Sequence, residues 1–386
     1  MSLSWPPLPV TLRSIRRQTA TGLTPAALHS PTPQLFSGHC AGWPLTRELS
    51  ARRLDLTKIA YLSELSGRQR IQFTYLPPAM AGDLGCAPNG RPNVPYLSHE
   101  ATLSDFLQGI ASCLRHADGS VAYAQSRPLR SFPRFAGMLG CDEVLGDLPE
   151  ASRRLWLGSG GHVNNLHFDC FANFLFMIAG YKRVCLFPPD SFVELRPTPP
   201  RRGIGGATGS PVKLLRPQTK DMARLRRLAR RGMYVVLRPG DALFIPPNWW
   251  HHVEGQRLNL MVNAWVHAIE RPTLGSLEDG LQRTIRAMAD MRPTVRISLR
   301  DVVRRACKGE PASQVLRQVP TDIAVVLAPI LKSIVDLQLP SEWRSFAAAA
   351  ADYYLFTASA DSRQWAEIVS YAIERNAGER FISQEL

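Results

Sequence analysis

Lysine is scarce in this chain. The formal net charge is +14, yet nearly all of the basic excess is arginine, and Lys182 is the only lysine between Lys58 and Lys213. Cysteine is sparse as well: the seven residues are scattered, odd in number, and form no C-x-x-C pair. That argues against a disulfide framework or a cysteine-built zinc site and fits a reducing compartment. No apolar run approaches the length needed to span a bilayer. The expectation is a soluble, cytoplasmic protein with no membrane partner. Acidic residues are missing before Glu48, and this arginine- and serine-rich start has no apolar signal core. Its composition superficially suggests a transit peptide, but domain-like sequence begins near Thr24. Residues 1–23 are therefore expected to be a short disordered leader. Aromatic-interleaved basic patches and internal repeats are also lacking. Only "RLRRLARR" (224–231) concentrates arginine, so the positive charge speaks weakly for nucleic acid as a partner.

Proline (31) and glycine (27) are plentiful, mostly in the first 250 residues. They punctuate short β-type runs: "RIQFTYL", "SVAYAQS", "RLWLGSG", "NFLFMIAG", "KRVCLFP", "MYVVLRPGD", "ALFIPP" and "NLMVNAWVH". Repeated short strands with turn signals predict a sandwich or barrel rather than a parallel α/β sheet. Two helices interrupt the early part. One starts at "TPAAL", with Thr24 as cap and Pro25 at the first helical position. The other covers 102–114, with Thr102 as cap and Leu103, Phe106, Leu107 and Ile110 on one face. The glycines of "RPTPPRRGIGGATGSP" (196–211) do not open a helix after a strand. That stretch reads as a flexible loop with no nucleotide role. Beyond about Pro272 the apolar spacing turns helical, through "DIAVVLAPILKSIVDL" and "SEWRSFAAAAADYYLF" to Gly378 as a C-cap. The expected organisation is the leader (1–23), a β-rich domain (24–270) and a helical C-terminal region (271–386).

The stretch "HFDCFANFLFMIAGYKRVCLFPPD" (167–190) holds the first chemical signal. On a strand, residues i and i+2 point to the same face, so His167 and Asp169 can present a nitrogen and an oxygen to one point. Alone, such a pair arises often by chance. A second stretch, "RPGDALFIPPNWWHHVE" (238–254), adds a turn, a short apolar strand and two histidines. Two histidines and one carboxylate make the facial triad of a non-haem iron(II) oxygenase, with three adjacent positions left for a keto acid and dioxygen. Lys182 then has a use. A dicarboxylate keto acid chelating at one end leaves its other carboxylate deep in the barrel, where it needs a cationic partner.

With "HFD", "GYKRVCLFPPD", "PGDALFIPPNWWHHVE" and "VNAWVH" in this order, residues 24–270 resemble the cupin-like branch of the JmjC-type 2-oxoglutarate-dependent oxygenases. They are particularly similar to the asparaginyl hydroxylase type that inhibits hypoxia-inducible factor. The resemblance implies a mainly β fold: a double-stranded β-helix (jelly-roll, cupin) core with flanking helices. It implies Fe(II) bound by His167, Asp169 and His251, with 2-oxoglutarate and O2 as cosubstrates. Lys182 and Tyr123 would meet the distal carboxylate of 2-oxoglutarate, and Asn173 and Asn263 would lie near its inner end. Gln125 and Trp265 would flank the substrate and cosubstrate pocket, as substrate-binding residues. Where the family often has a threonine, this chain has Asn164, whose amide still donates a hydrogen bond. His252 reads as structural, Trp249, Trp250, His39 and Trp43 as packing, and Cys170 and Cys185 as small buried residues. His162 reads as a loop residue or a substrate contact.

The implied reaction is an oxidative decarboxylation that hydroxylates a protein or peptide side chain and releases succinate and CO2. A hydroxylase of a small metabolite or natural-product intermediate is the second enzyme reading, and removal of N-methyl groups a third outcome of the same chemistry. A non-catalytic cupin used for binding is the alternative from another class, against which the intact ligand and lysine positions speak. The C-terminal helices would serve as a lid or, by family analogy, a homodimer interface.

Overall fold

The computed structural model of the chain describes residues 5–18, 23, 27, 30–84, 98–141, 145, 152–169, 172–196, 208–266, 305 and 310–317. The predicted helices at Thr24 and beyond Pro272 lie outside these residues, apart from one turn at Ala312–Leu316, as do the lid and dimer roles assigned to them.

The strands form one hydrogen-bonded network that folds back on itself into two faces. The larger face runs β2 (Arg17–Gln18), β3 (Gln34–Phe36), β12 (Ala242–Ile245), the first half of β9 (Ala172–Phe187), the second half of β13 (Trp250–Val266), β7 (Ser152–Gly158), β6 (Val121–Pro128), β4 (Arg70–Leu76) and β5 (Ser98–Thr102). The smaller face runs β1 (Arg13–Ser14), β11 (Met233–Leu237), the second half of β9, the first half of β13, β8 (Val163–Phe168) and β10 (Thr208–Gly209). Pairing is antiparallel except for β1 with β11 and β2 with β3. This is a jelly-roll core, as the family resemblance implied and in keeping with the sandwich or barrel that the strand pattern predicted.

The two long strands make the fold. "NFLFMIAG" and "KRVCLFP" read in the sequence as separate strands, but they are continuous in β9. Gly180, at φ +76, turns the chain between the two faces. Before it, Phe174, Phe176 and Ile178 point outward to the helices while Leu175 and Met177 point inward. After it, Lys182, Val184 and Leu186 line the interior. In β13 the register shifts between Gln256 and Leu260, opposite this turn.

Three helices cover the outside of the larger face: α1 (Pro44–Ala51), α2 (Asp55–Ser66) and α3 (Leu103–His116). As its sequence predicts, α3 starts where the Thr102 hydroxyl accepts from the Asp105 N–H (3.1 Å), and it buries Leu103, Phe106, Leu107 and Ile110 against the sheet. A second apolar cluster fills the barrel between the faces, joining Leu175, Met177 and Met261 to Val184, Leu186, Val235 and Val253.

Two expectations are corrected. Residues 13–18, placed in a disordered leader, form β1 and β2, because an open sheet edge offers their backbone groups partners. The end of the expected flexible loop, Thr208–Gly209, forms β10 beside Phe168 and His167. Among the described residues no helix is long and apolar enough to cross a membrane.

Candidate metal centre and its pocket

His167 and His251 face each other across β8 and β13. Their ring centroids are 4.1 Å apart, and Asp169 follows the end of β8. Ligand atoms of these three side chains all lie within 4.8 Å of one another. Each imidazole is set by a carbonyl two residues back: His167 Nδ1 is 2.6 Å from Asn165 O, and His251 Nδ1 is 3.0 Å from Trp249 O. A carbonyl only accepts, so each Nδ1 carries the proton and each Nε2 presents its lone pair. His251 Nε2 is 3.6 Å from Asp169 Oδ2. Burial, helped by neighbouring His167, pushes the His251 pKa down to about 4, so the ring is neutral at physiological pH and the contact is not an ion pair. Asp169 is held from both ends: its carbonyl accepts from the Asn248 N–H (2.8 Å), and its Oδ2 from Trp265 Nε1–H (3.3 Å). Two imidazoles and one carboxylate converging on a point form a donor set that suits iron(II).

Lys182 is 1% exposed and faces Gly255 on β13, four residues along that strand from His251. That is about 13 Å at the usual rise per residue. Its Nζ donates to the Tyr123 hydroxyl (3.1 Å), lies 3.3 Å from His162 Nε2, and sits over the rings of Tyr123 and Trp156. Among the described residues no carboxylate pairs with it, and burial pushes its pKa down to about 7. Burial likewise raises the Tyr123 hydroxyl, against the pull of Asn164. An ammonium enclosed without an anion is costly, so an anionic group placed beside Lys182 would be stabilised there.

The remaining expected residues fall around these two points. Asn164 stands opposite Val253 and accepts from Gln125 Nε2 at 3.4 Å. Gln125, expected beside the substrate and cosubstrate pocket, is thereby tied to Asn164, next to Tyr123 and Lys182. Asn263 donates to Asn173 (3.0 Å) and accepts from Trp156 Nε1–H (2.6 Å). Trp265, expected beside the same pocket, donates through its indole to the carboxylate of Asp169. His252 points to the opposite face of its strand, 3.3 Å from Glu254, which also binds Arg183 through both oxygens (2.7 and 2.8 Å). Trp250 packs edge-on against Phe168, and Trp43 lies tilted at 45° against Phe176. Cys170 lies outside the described residues.

Sequence reasoning passed over Trp156 and Asn165, and read His162 as a loop residue or a substrate contact without placing it beside Lys182. Alternation in "RLWLG" was the available signal for Trp156, since Leu155 and Leu157 join the outer core and leave it facing inward. Asn165 orients His167 by its carbonyl and donates its amide to Asp83, which pairs with Lys213. No local pattern marks His162.

A jelly roll with a two-histidine, one-carboxylate centre and a lysine-floored pocket defines a cupin of the oxygenase type. Residues 23–271 match the family described as "Cupin-like domain", and the chain belongs to it, in its JmjC branch. It is 28% identical over 270 residues to human "HSPB1-associated protein 1", covering 66% of this chain and 51% of that one. It is 33% identical over 116 residues to "Lysine-specific demethylase JMJ31" of Arabidopsis thaliana, covering 30% of this chain and 21% of that protein. It is 31% identical over 121 residues to "Lysine-specific demethylase 8" of Danio rerio, covering 31% and 28%. The chain thus spans about half or less of the length of these curated relatives.

Proposed function

We propose that this protein is an Fe(II)- and 2-oxoglutarate-dependent dioxygenase that hydroxylates a protein or peptide side chain. The observation that carries the reading is the pairing of two features inside one barrel: three convergent candidate metal donors, and a buried ammonium one strand-length away that no carboxylate among the described residues pairs with. His167, Asp169 and His251 would hold iron(II) on one side and leave the other open. Bound iron and 2-oxoglutarate would supply the activation of O2, with succinate and CO2 released. Lys182 and Tyr123 would bind the distal carboxylate. Asn173 and Asn263, locked to each other, would fix the polar wall near its inner end. The apolar shell of Leu186, Val253 and Met261 would keep water from the oxidant. Trp265 would hold Asp169 in the orientation needed for ligation.

Names of two relatives favour a second outcome of the same chemistry, since both are called lysine-specific demethylases. Hydroxylation of an N-methyl carbon removes the methyl group, so one site serves either result. The test is direct. Purified protein with iron(II) and 2-oxoglutarate should release succinate. His167→Ala and Asp169→Ala should abolish that release while leaving far-UV circular dichroism unchanged. Unaltered succinate production in either variant would refute the triad.

A further inference from the structure

His162 is a buried polar side chain for which the oxygenase reading has no use. It is 0% exposed and sits just before β8, where its carbonyl accepts from the Gly255 N–H (3.0 Å). Its ring lies flat on Tyr123, with centroids 3.7 Å apart and planes at 12°. Nε2 is 3.3 Å from Lys182 Nζ, while Nδ1 is buried without a hydrogen-bond partner. The backbone is cleared around this stack. A Cβ on Gly255 would stand 2.1 Å from His162 Cε1, and one on Gly158 2.6 Å from Tyr123 Cδ2.

Packing alone does not account for an imidazole here. Phenylalanine would stack on Tyr123 equally well and would bury no unmet donor. The nitrogen facing Lys182 is the difference. An ammonium has three N–H donors and no acceptor, so with Lys182 charged the bond has one polarity: Nζ donates and Nε2 accepts. The imidazole proton then stays on Nδ1. Tyr123 oxygen takes a second N–H (3.1 Å). One N–H remains, and its direction is fixed by the other two.

We propose that His162 is a positioning residue for the cosubstrate: by accepting one ammonium N–H it aims the last N–H of Lys182 at the carboxylate of a 2-oxo dicarboxylic acid. This rests on the reading of the pocket given above. It concerns the end of the barrel away from the metal, so its loss should leave metal affinity alone. A hydrogen bond to a charged group is strong enough for roughly a 10- to 30-fold effect on binding.

The experiment is oxygen-free calorimetric titration of 2-oxoglutarate into Mn(II)-loaded protein, with Mn(II) affinity measured separately. Lys182→Ala should lose 2-oxoglutarate binding. His162→Phe, which keeps the stacked ring, should weaken it about tenfold or more at unchanged Mn(II) affinity. His162→Gln, which restores an acceptor, should recover most of the loss that His162→Leu, of similar volume, shows. Parent-like binding by Phe or Leu, or equal binding by Gln and Leu, would overturn the role of His162. Equal binding by the parent and Lys182→Ala would instead overturn the reading of the pocket itself, and the proposal with it.

Discussion

The ammonium of Lys182 is the most expensive group in the pocket. The unfolded chain keeps this lysine protonated up to its ordinary 10.5, whereas burial lets the folded chain do so only to about 7. Between these values the unfolded state binds more protons, so folded-state stability rises with pH through that window. Below about 7 the burial penalty applies in full. Lys182→Met removes the charge at similar length. The variant should be more stable than the parent at pH 7 by roughly 2–4 kcal/mol, after allowing for the lost bond to Tyr123. The gain should shrink toward pH 10, and 2-oxoglutarate binding should vanish. Chemical denaturation at both pH values reads this. A variant less stable than the parent at pH 7 would mean that the surrounding dipoles already compensate the ammonium. Binding the dicarboxylate above pH 7 must also take up a proton, which should show as a calorimetric enthalpy that changes with the ionisation enthalpy of the buffer.

At the scale of elements, the bend in β9 places this lysine in the interior. Side-chain parity changes at Gly180: Leu175 and Met177 face inward before it, Val184 and Leu186 after. Gly180 has φ +76, and a Cβ there would meet Leu258 O at 2.3 Å and Asn259 Cα at 2.8 Å. Gly180→Ala should therefore destabilise by more than about 2 kcal/mol in urea unfolding, from strain and collision together. Gly109→Ala is the control. That glycine lies within α3 with open space around it, and alanine should stabilise by about 0.5–1 kcal/mol there. Equal effects at the two positions would show that the turn at Gly180 imposes no special conformation. The same parity change explains what was legible beforehand. The i, i+2 spacing of His167 and Asp169 is local, so it could be read directly, as could the capped face of α3. The continuity of β9 was hidden because alternation breaks where the strand bends. The pairing of Lys182 with Tyr123 came only through the family resemblance, and the place of His162 beside them was hidden differently. The cluster joins three strand regions whose proximity is set by register, and a single buried histidine carries no periodicity.

For the whole molecule, the segment with the least sequence signal closes the sandwich. β1 adds to the edge of the smaller face at β11, and β2, a few residues later, adds to the edge of the larger face at β3. Residues 13–18 thus fasten the two faces along one side. Arg17 strengthens the fastening: its guanidinium binds Asp241 Oδ2 (2.9 Å) and Val236 O (3.1 Å). Asp241 is 4% exposed and also takes the backbone N–H groups of Gly38 (3.3 Å) and Arg238 (3.0 Å), at the turn that leads into β12. Without Arg17 the carboxylate would keep these two donors but lose its cation. Arg17→Ala should cost about 1–2 kcal/mol, at the low end for a charged pair because the arginine is partly solvated. Deleting residues 1–18 should cost more, since it also strips the pairing from β3 and β11 and leaves two open edges that favour association between chains. Thermal melting should fall from parent to Arg17→Ala to the deletion. Light scattering should rise with concentration in the deletion alone. Parent-like melting and scattering by the deleted chain would mean that these strands rest on the barrel without holding it.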